Sequence, residues 1–279
     1  MKILVLGITG LIGRTVFEEL SLHKDLKTYG TSRNANENSK LIYELDYCVR
    51  SETLREILRQ IHPSVVINCI GVTKHLKTAK NPFTSISVNS LLPHEIAKYC
   101  SEIQAKLVQI STDCVFSGKK GNYDESDLPD STDLYGKSKV LGEVVDENHL
   151  TIRTSTIGHE KFTKFGLLEW FLTQHDQCNG FRNAFFSGLT TIELARVIKD
   201  ILIANQDLNG LYHVGGKAIS KFDLLEIIRE VYQKEIHINP DDEFFMNRTL
   251  NSSLFHDKTG YLSPSWEEMI HNMYLRFKQ

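Results

Sequence analysis

The sequence predicts an α/β fold in which a doubly wound parallel sheet is followed by a smaller C-terminal α/β lobe. Over roughly the first seventy residues, apolar runs of strand length alternate with polar segments of helical periodicity, which is typical of βαβ units. Several of these runs are almost entirely apolar, as expected for strands that are buried on both faces of a parallel sheet. Beyond residue 155 the alternation loosens, so we assign the rest of the chain mainly to the second lobe.

Element boundaries follow from this alternation and from capping signals. Ser51 is placed to cap the helix after it, and Pro82 can open a helix because the first turn needs no backbone N–H donor. Pro93 then either kinks that helix or restarts it. Residues 118–132, rich in Gly, Asp, Ser and Pro, form a loop. The predicted strands are 2–6, 27–32, 41–45, 65–69, 107–111 and 150–154, and the predicted helices include 11–20, 51–61, 167–174, 192–204 and 222–233.

Composition argues against several classes of protein. Hydrophobic residues make up 41% of the chain and charged residues 24%, which is typical of a folded globular domain. The formal net charge is -3 and no dense Lys/Arg run occurs, so no nucleic-acid surface is expected. No apolar stretch approaches the ~20 residues that span a bilayer, and the N-terminal residues do not form a signal peptide pattern. We therefore expect a cytoplasmic protein that makes no membrane contact.

The cysteines and histidines give no indication of a metal site. None of the eleven histidines pairs with another at ligand spacing, so we expect them to be solvated or structural. The five cysteines are widely scattered and lack the paired spacing of zinc ligands, which predicts reduced thiols and no bound metal. They are Cys48, Cys69, Cys100, Cys114 and Cys178.

A glycine-rich turn stands between the first predicted strand and the first predicted helix. A diphosphate at this turn would meet free backbone N–H groups and the positive end of the helix dipole. One glycine allows a sharp turn, one lets the backbone approach the phosphates, and one lets the helix pack closely on the sheet. The alternative is a strand-to-helix turn that holds no ligand. The predicted contacts to a dinucleotide are Gly7, Thr9, Gly10, Leu11, Ile12 and Gly13.

The spacing of these glycines resembles that of the short-chain dehydrogenase/reductase family, which has a Rossmann-like fold and binds NAD(P). In that family the residues at the end of the second strand determine whether NAD or NADP is bound. Here they include Ser32 and Arg33. Arg33 offers a planar fork to the 2′-phosphate of NADPH, so we expect NADPH, with NADH as the alternative. The other cofactor positions that the resemblance implies are Asp46, at the adenine, and Cys69, Ile70 and Gly71, in the turn over which the dinucleotide passes.

Tyr135 and Lys139 lie four residues apart at the start of a predicted helix, so both side chains project from one face. A phenol with an ordinary pKa of about 10 is a weak acid at neutral pH, and a nearby ammonium stabilises the phenolate that remains when the proton leaves. Upstream, a predicted strand leads to Thr112 at the carboxyl edge, where open α/β sheets bind ligands. We therefore predict that Thr112 hydrogen-bonds a substrate carbonyl oxygen while Tyr135 protonates it. An incidental Tyr and Lys at this spacing is the alternative.

A longer set of motifs is similar to the dTDP-4-dehydrorhamnose reductases and related nucleotide-sugar reductases, which belong to the extended type of the short-chain family. The similarity extends over nearly the whole chain. The motifs are Ser111-Thr112-Asp113-Cys114-Val115-Phe116-Ser117-Gly118, Tyr135-Gly136-Lys137-Ser138-Lys139, Gly142-Glu143, Ile152-Arg153-Thr154-Ser155, Gly210-Leu211-Tyr212-His213-Val214, Arg248-Thr249-Leu250-Asn251-Ser252-Ser253-Leu254 and Ser265-Trp266.

This resemblance implies an oxidoreductase that uses NADPH to reduce the 4-keto group of a nucleotide-linked 6-deoxy sugar, in the biosynthesis of surface polysaccharide sugars. It also implies that Lys139 holds the nicotinamide ribose. Residues 1–155 would bind the dinucleotide and residues 156–279 mainly the substrate, although segments near 189–215 could return to the first domain. Asp113 is either a substrate contact or a turn residue after the strand. The predicted substrate contacts are Thr112, Asp113, Val115 and Phe116.

Some positions depart from the family and leave alternatives open. Cys114 and Thr156 stand where the family often has Tyr and Trp, and residues 72–78 also differ. Because these positions border the sugar in the family, the sequence leaves the sugar open. A homodimer is expected from the resemblance alone. Two other functions remain, an epimerase or dehydratase that retains NAD and a non-catalytic regulatory subunit. The arginine after the second strand disfavours the first, and the proton-transfer pair disfavours the second.

Overall fold

A parallel sheet of seven strands forms the centre of the computed structural model, which describes residues 1–34, 40–46, 51–74, 76–161, 164–205 and 207–278. In the first part of the chain, strands and helices alternate. The strands are β1 (Lys2–Leu6), β2 (Lys27–Ser32), β3 (Ile42–Glu44), β4 (Val65–Asn68), β5 (Lys106–Thr112) and β6 (Leu150–Thr154), and the helices are α1 (Leu11–Ser21), α2 (Glu52–Ile61), α3 (Pro82–Ser85), α4 (Leu92–Glu102) and α5 (Leu134–Val140).

Shorter strands and further helices make up the second part of the chain. The strands are β7 (Thr156–Ile157), β8 (Gln177–Phe181), β9 (Ala184–Phe186), β10 (Leu189–Thr190), β11 (Gly210–His213), β12 (Ile219–Ser220), β13 (His237–Asp241) and β14 (Met246–Asn247), and the helices are α6 (Leu167–Leu172), α7 (Thr191–Val197), α8 (Lys221–Val231), α9 (Ser253–Thr259) and α10 (Trp266–Lys278).

The central sheet has the strand order β11, β6, β5, β4, β1, β2, β3, and all neighbouring strands are parallel. The chain proceeds outward from β1 to β3, returns to β4 beside β1, and then proceeds outward in the other direction. The order therefore reverses between β1 and β4, which is the position where open α/β sheets bind ligands. The predicted Rossmann-like parallel sheet is confirmed.

The two faces of the sheet have separate hydrophobic cores. Successive side chains of a strand point to opposite faces. Ile3 and Val5 accordingly lie in the core that α1 and α7 cover, whereas Leu4 and Leu6 lie in the core that α2 and α4 cover. Helices on both faces explain why the strands are almost entirely apolar, because neither face of the sheet meets water.

Helical structure after Pro82 is continuous but irregular. A π-helical segment, Ile86–Leu91, separates α3 from α4, and Pro93 stands in the first turn of α4. A proline has no N–H to donate to the preceding turn, so regular α-helical hydrogen bonding restarts beyond it. The predicted helix over residues 192–204 is divided in a similar way, since α7 passes into a second π-helical segment at Ile198–Leu202.

The second part of the chain forms three small sheets and also contributes to the central one. β10 pairs with β7, β9 lies between β12 and β14, and β13 pairs with β8. In contrast, β11 extends the central sheet beside β6, and α7 contributes to the core next to α1. None of the helices in the described ranges combines the length and hydropathy that a bilayer span requires.

Candidate active site

The glycine turn and the end of β4 meet at the carboxyl edge of the sheet. Gly7 has a φ of +82°, in the left-handed region, and a side chain there would come within 3.0 Å of Cγ1 of Ile70. Gly13 approaches the turn from the first helix, where a Cβ would lie 2.3 Å from the Gly7 carbonyl oxygen and 3.1 Å from Cβ of Cys69. The close packing of α1 on this edge therefore depends on the absence of a side chain at both positions.

Hydrogen bonds join the glycine turn to β2. The Gly7 N–H donates to the hydroxyl oxygen of Thr31 at 3.1 Å, and the Ile8 N–H donates to the Thr31 carbonyl at 3.0 Å. The Gly10 N–H donates back to the Gly7 carbonyl at 3.1 Å. These bonds hold the turn in one conformation without using the side chain of Thr9, which is exposed.

The N-terminus of α1 fits the diphosphate of a dinucleotide. Gly10 is its N-cap residue, and no side chain in the described part of the chain caps this helix. The first N–H groups of a helix, which here include those of Leu11 and Ile12, have no partner inside the helix and attract anions. A Cβ at Gly10 would meet only the Gly7 carbonyl oxygen at 3.5 Å, so the space in front of the helix is open.

The predicted adenosine positions follow the ends of two adjacent strands. Ser32, the last residue of β2, is buried, and its hydroxyl donates to the Asn34 carbonyl at 3.1 Å. Arg33 is exposed immediately after it, and Asp46 is exposed after β3. Because β2 and β3 are parallel, these residues lie at the same edge as the glycine turn. Gly71, which follows β4 at that edge, is also exposed, and a Cβ there would meet only Oδ1 of Asn89 at 3.6 Å.

Thr112 is the last residue of β5 and the N-cap of a 3-10 turn that covers Asp113–Val115. Its hydroxyl oxygen accepts a hydrogen bond from the Cys114 N–H at 3.1 Å and donates to a carboxylate oxygen of Asp113 at 3.1 Å. Asp113 therefore serves as a turn residue and also faces the site. The neighbouring Ser111 points away, as the alternation of strand side chains requires, and its hydroxyl donates to Glu143 at 2.7 Å.

Helix α5 brings Tyr135 to Thr112. Its N-cap is Asp133, whose carboxylate accepts the Gly136 N–H at 2.7 Å. A Cβ at Gly136 would lie 2.1 Å from the Ser131 hydroxyl oxygen and 2.4 Å from the Cys114 carbonyl oxygen, so only glycine lets the helix approach the turn after β5. The Tyr135 phenol interacts with the Thr112 hydroxyl group, which lowers the pKa of the phenol. The predicted meeting of these two hydroxyl groups is present in the structure.

Burial controls the electrostatics of Tyr135. It raises the pKa of the phenol above its usual range, as do the acidic groups around it, Cys114 and Asp113. The strongest opposing influence on this pKa is the interaction with Thr112 rather than the ammonium of Lys139. The phenol therefore stays protonated at neutral pH, which is the form that can donate a proton to a ketone.

Lys139 lies one helical turn further along α5 and is held against the sheet. Its ammonium donates to the Ile110 carbonyl of β5 at 2.7 Å. Burial lowers the pKa of Lys139 to about 8, while Glu143 and Cys69 act in the opposite direction. The influence of Cys69 shows that the ammonium faces the end of β4, along which a dinucleotide from the glycine turn would pass.

Asn89, in the first π-helical segment, is a supporting residue that we did not predict. Its amide nitrogen donates to the Val72 carbonyl at 3.0 Å and to the Ser138 hydroxyl at 3.1 Å, and its amide oxygen accepts the Val72 N–H at 2.8 Å. This buried side chain joins the segment after β4 to α5, and thereby orients the helix that carries Tyr135 and Lys139. Asn89 was missed because it lies in a π-helical segment, and residue propensities do not predict where such a segment forms.

Two predicted substrate residues contribute no exposed side chain. Val115 and Phe116 are both 0% exposed and pack in one hydrophobic cluster with Tyr123 and Leu250. The ring of Phe116 stacks on Tyr123 with 4.0 Å between ring centres. Side chains that are enclosed in this way cannot contact a sugar, so we do not retain them as substrate contacts. Their role is to support the turn that carries Thr112 and Asp113.

Cationic side chains from distant parts of the chain act on Cys114, and no sequence pattern predicted this grouping. Lys74 and Arg248 both lower the pKa of the Cys114 thiol, which burial raises to about 11. Nη1 of Arg248 lies 3.5 Å from the Cys114 sulfur. Lys221 interacts electrostatically with Asp113 and Cys114. These interactions place positive charge near the turn that follows Thr112.

Comparison with known proteins finds similar chains. The chain is 25% identical to dTDP-4-dehydrorhamnose reductase from Salmonella typhimurium. The alignment is 301 positions long and covers 98% of this chain and 97% of that protein. It is 32% identical over 151 residues to methionine adenosyltransferase 2 subunit beta from Mus musculus, which is 53% of this chain. This match spans less than half the length of that relative, 44% of it.

The fold is also that of a solved structure. A dTDP-4-dehydrorhamnose reductase from Bacillus anthracis, in complex with NADP, superposes with a TM-score of 0.81 at 21% identity, over 99% of each chain. The model of the family described as RmlD substrate binding domain matches residues 1–278. The chain therefore belongs to the RmlD substrate binding domain family.

Proposed function

We propose that this protein is an NADPH-dependent reductase of a nucleotide-linked 4-keto-6-deoxy sugar. The observation that carries the proposal is the interaction between two hydroxyl groups, those of Thr112 and Tyr135, with Lys139 on the next helical turn. This set stands at the sheet edge that the glycine turn also reaches. The full-length similarity to the Salmonella typhimurium enzyme supports the choice of substrate, because that protein is named dTDP-4-dehydrorhamnose reductase.

The proposal gives a role to each of the three side chains. When substrate binds, the Thr112 hydroxyl would turn from Asp113 and donate its one hydrogen bond to the ketone oxygen, which fixes the position of that oxygen. Tyr135 transfers its proton to that oxygen as negative charge develops there. NADPH, when bound, supplies the hydride that the carbonyl carbon receives. Lys139, one helical turn away, would stabilise the negative charge that remains when Tyr135 loses its proton, because an ammonium favours an anion near it.

Turnover with a panel of nucleotide 4-keto sugars tests this function. The purified protein would be mixed with NADPH or NADH and each sugar in turn, including dTDP-4-dehydrorhamnose, and oxidation of the cofactor followed by its absorbance. We expect oxidation of NADPH with at least one of these sugars and formation of the corresponding alcohol. Purified protein that oxidises neither cofactor with any sugar, although it is folded, would overturn the proposal.

Arg33 is expected to determine the preference for NADPH. It is exposed at the end of β2, where its guanidinium can contact the 2′-phosphate that NADH lacks. The substitution Arg33→Ala should raise KM for NADPH about tenfold or more, which is the cost of one charge-assisted contact, and leave KM for NADH nearly unchanged. Steady-state kinetics with both cofactors measure the effect. Equal changes of KM for NADPH and NADH would show that Arg33 does not recognise the 2′-phosphate.

Lys139 is expected to give the reaction a pH limit on the alkaline side. The pKa of Lys139 is lowered to about 8, so its charge is present below that value and is lost as pH rises through it. The quotient kcat/KM should therefore be level near neutral pH and fall about tenfold per pH unit above this pKa. Lys139→Arg keeps the positive charge, so the fall should move to higher pH even if kcat is lower.

Lys221 has a pKa near the same value, so the pH profile is also measured on Lys221→Arg. The arginine remains charged throughout this range. A fall that persists in this variant belongs to Lys139, whereas a fall that disappears in Lys221→Arg and persists in Lys139→Arg would contradict the assignment.

One observation favours a second function. The similarity to methionine adenosyltransferase 2 subunit beta, at 32% identity, connects part of this chain to a protein that is named as a subunit of another enzyme. Under this hypothesis the dinucleotide site would serve binding alone. The match covers only 53% of the chain, whereas the reductase similarity covers 98%. We therefore favour the reductase.

The division of the chain and its location in the cell also belong to the proposal. We infer that residues 1–155, together with β11 and α7, hold the dinucleotide and that most of the remaining chain holds the sugar. The thiols of Cys69, Cys100, Cys114 and Cys178 are free, and Cys48 lies outside the described residues. Free thiols suit a reducing compartment, which supports a cytoplasmic enzyme. Cell fractionation with an antibody to the protein tests this location.

A further inference from the structure

Lys221 is a cation with an unusual environment at the edge of the candidate active site. It is the first residue of α8, after the N-cap residue Ser220. Its ammonium lies 4.1 Å from the centre of the Phe186 ring, and the side chain is partly buried. The pKa of Lys221 is lowered to about 8, mainly by burial and to a smaller extent by Lys74. Asp113 attracts the ammonium but forms no ion pair with it, and within the described residues we find no hydrogen bond from Nζ.

Holding the Lys221 ammonium in this position lowers the stability of the folded protein. An ammonium that leaves water needs acceptors for its three donors, and a contact with an aromatic ring replaces only part of its hydration. The fold does not need the charge, because a neutral side chain of the same length would also cover Phe186. Groups that are held in an unfavourable state beside an active site are typical of ligand binding.

The neighbours of Lys221 extend this positive charge. Lys74 follows β4 and Arg248 follows β14, and both act on the thiol of Cys114 together with Lys221. Three cations from separate elements therefore act on Cys114. The acidic side chain that acts on both Cys114 and Lys221 is Asp113. Like charges that converge in this way repel each other unless an anion lies between them.

The position of this charge relative to the chemistry is also defined. The Cys114 N–H lies 3.1 Å from the hydroxyl oxygen of Thr112, which in turn interacts with the Tyr135 phenol. A substrate whose carbonyl meets those two hydroxyl groups would extend over Cys114 and reach the cations.

We propose that Lys221, Lys74 and Arg248 form an anion-binding subsite beside Thr112, in which Lys221 holds a negatively charged oxygen group of the substrate. This inference rests on the proposed function, since it assumes that the substrate carbonyl meets Thr112 and Tyr135. The diphosphate of a nucleotide sugar has this chemistry, and so has a carboxylate on the sugar ring. The subsite would select charged nucleotide sugars over neutral ketones.

Binding measurements that need no turnover test the subsite. The dissociation constants of dTDP-glucose and dTDP-glucuronate would be measured by calorimetry, with NADP⁺ at saturation so that the dinucleotide site is filled. Lys221→Met removes the charge with little change of length, and Lys221→Arg keeps it. The matched control is Lys217→Met, an exposed lysine in the loop before α8. Thermal unfolding of each variant reports on the fold.

We expect Lys221→Met to weaken binding of dTDP-glucose about tenfold or more, as the loss of a charge-assisted hydrogen bond does, with no fall in Tm. Lys221→Arg should bind within about threefold of the original protein and Lys217→Met should be unchanged. Equal losses for both ligands identify the diphosphate as the bound group. A preference for dTDP-glucuronate that disappears in Lys221→Met identifies a carboxylate.

Other results would overturn the inference. These are unchanged affinity for both ligands in Lys221→Met, an equal loss in Lys217→Met, no binding of either ligand to the original protein, or a lower Tm with unaltered affinity, which would make Lys221 a structural residue. Failure of the proposed function is distinguishable, because a protein that binds dTDP-glucose through Lys221 but reduces no ketone would retain the subsite and lose the reaction.

Discussion

Replacing Tyr135 by Phe is expected to lower kcat for ketone reduction by about 10²–10⁴-fold, the usual contribution of a positioned general acid. The substitution removes only the hydroxyl group that interacts with Thr112, and leaves the ring that α5 holds in place. Because binding of the cofactor does not depend on the phenol hydroxyl alone, the dissociation constant for NADPH should change little. Single-turnover kinetics with the best sugar of the panel, together with NADPH titration, measure both quantities.

Tyr274→Phe is the matched control for this substitution. Tyr274 lies in α10, and its ring packs against that of Tyr232 with 4.8 Å between ring centres. Removing its hydroxyl should leave kcat unchanged. If Tyr135→Phe also retained full activity, the phenol would not be the proton donor, and the hypothesis of a non-catalytic dinucleotide-binding subunit would gain support.

Replacing Gly13 by Ala is expected to damage both the fold and the dinucleotide site. The new Cβ would lie 2.3 Å from the Gly7 carbonyl oxygen, which belongs to the backbone and cannot rotate away. Overpacking of this kind costs about 1–3 kcal/mol, which corresponds to a Tm lower by roughly 2–10 °C for a chain of this length. The displaced helix would also lose its alignment with the phosphates, so NADPH binding should weaken by at least about tenfold.

Gly10→Ala separates these two effects. A Cβ at Gly10 would lie 3.5 Å from the Gly7 carbonyl oxygen, which is an ordinary contact, and the φ of −78° suits alanine. Its Tm should therefore match that of the original protein. Its methyl group would nevertheless stand in the open space where the diphosphate is proposed to bind, so the affinity for NADPH should fall. Unaltered NADPH affinity in folded Gly10→Ala protein would contradict the placement of the phosphates at α1.

Features that depend on short stretches of sequence were predicted well. The glycine intervals at Gly7, Gly10 and Gly13 determine how a strand turns into a helix, and the spacing of Tyr135 and Lys139 places both on one helical face. The apolar runs gave the strands of the central sheet, because strands buried on both faces carry the signal in every residue. The preference for NADPH, which depends on Arg33, stays a prediction.

The motif to which a residue belongs did not predict whether its side chain reaches the candidate active site. Thr112, Val115 and Phe116 belong to one continuous motif, yet the 3-10 turn after β5 leaves Thr112 at the site and encloses the other two in a hydrophobic cluster. The π-helical segment that brings Asn89 to α5 was also absent from the prediction. In both cases the local sequence permits several conformations, and packing against another element selects one of them.

By itself the sequence determined the strands and helices of the first part of the chain, the glycine turn and the spacing of Tyr135 and Lys139 on one helix, since each arises within a span of a few residues. Only the tertiary structure decided that Lys74, Lys221 and Arg248 surround Cys114. These residues are separated by long stretches of chain, and no periodicity or spacing relates them. Their meeting depends on how the loop after β4, the start of α8 and the segment after β14 pack at one edge of the sheet, and that is decided by the three-dimensional arrangement of the whole chain.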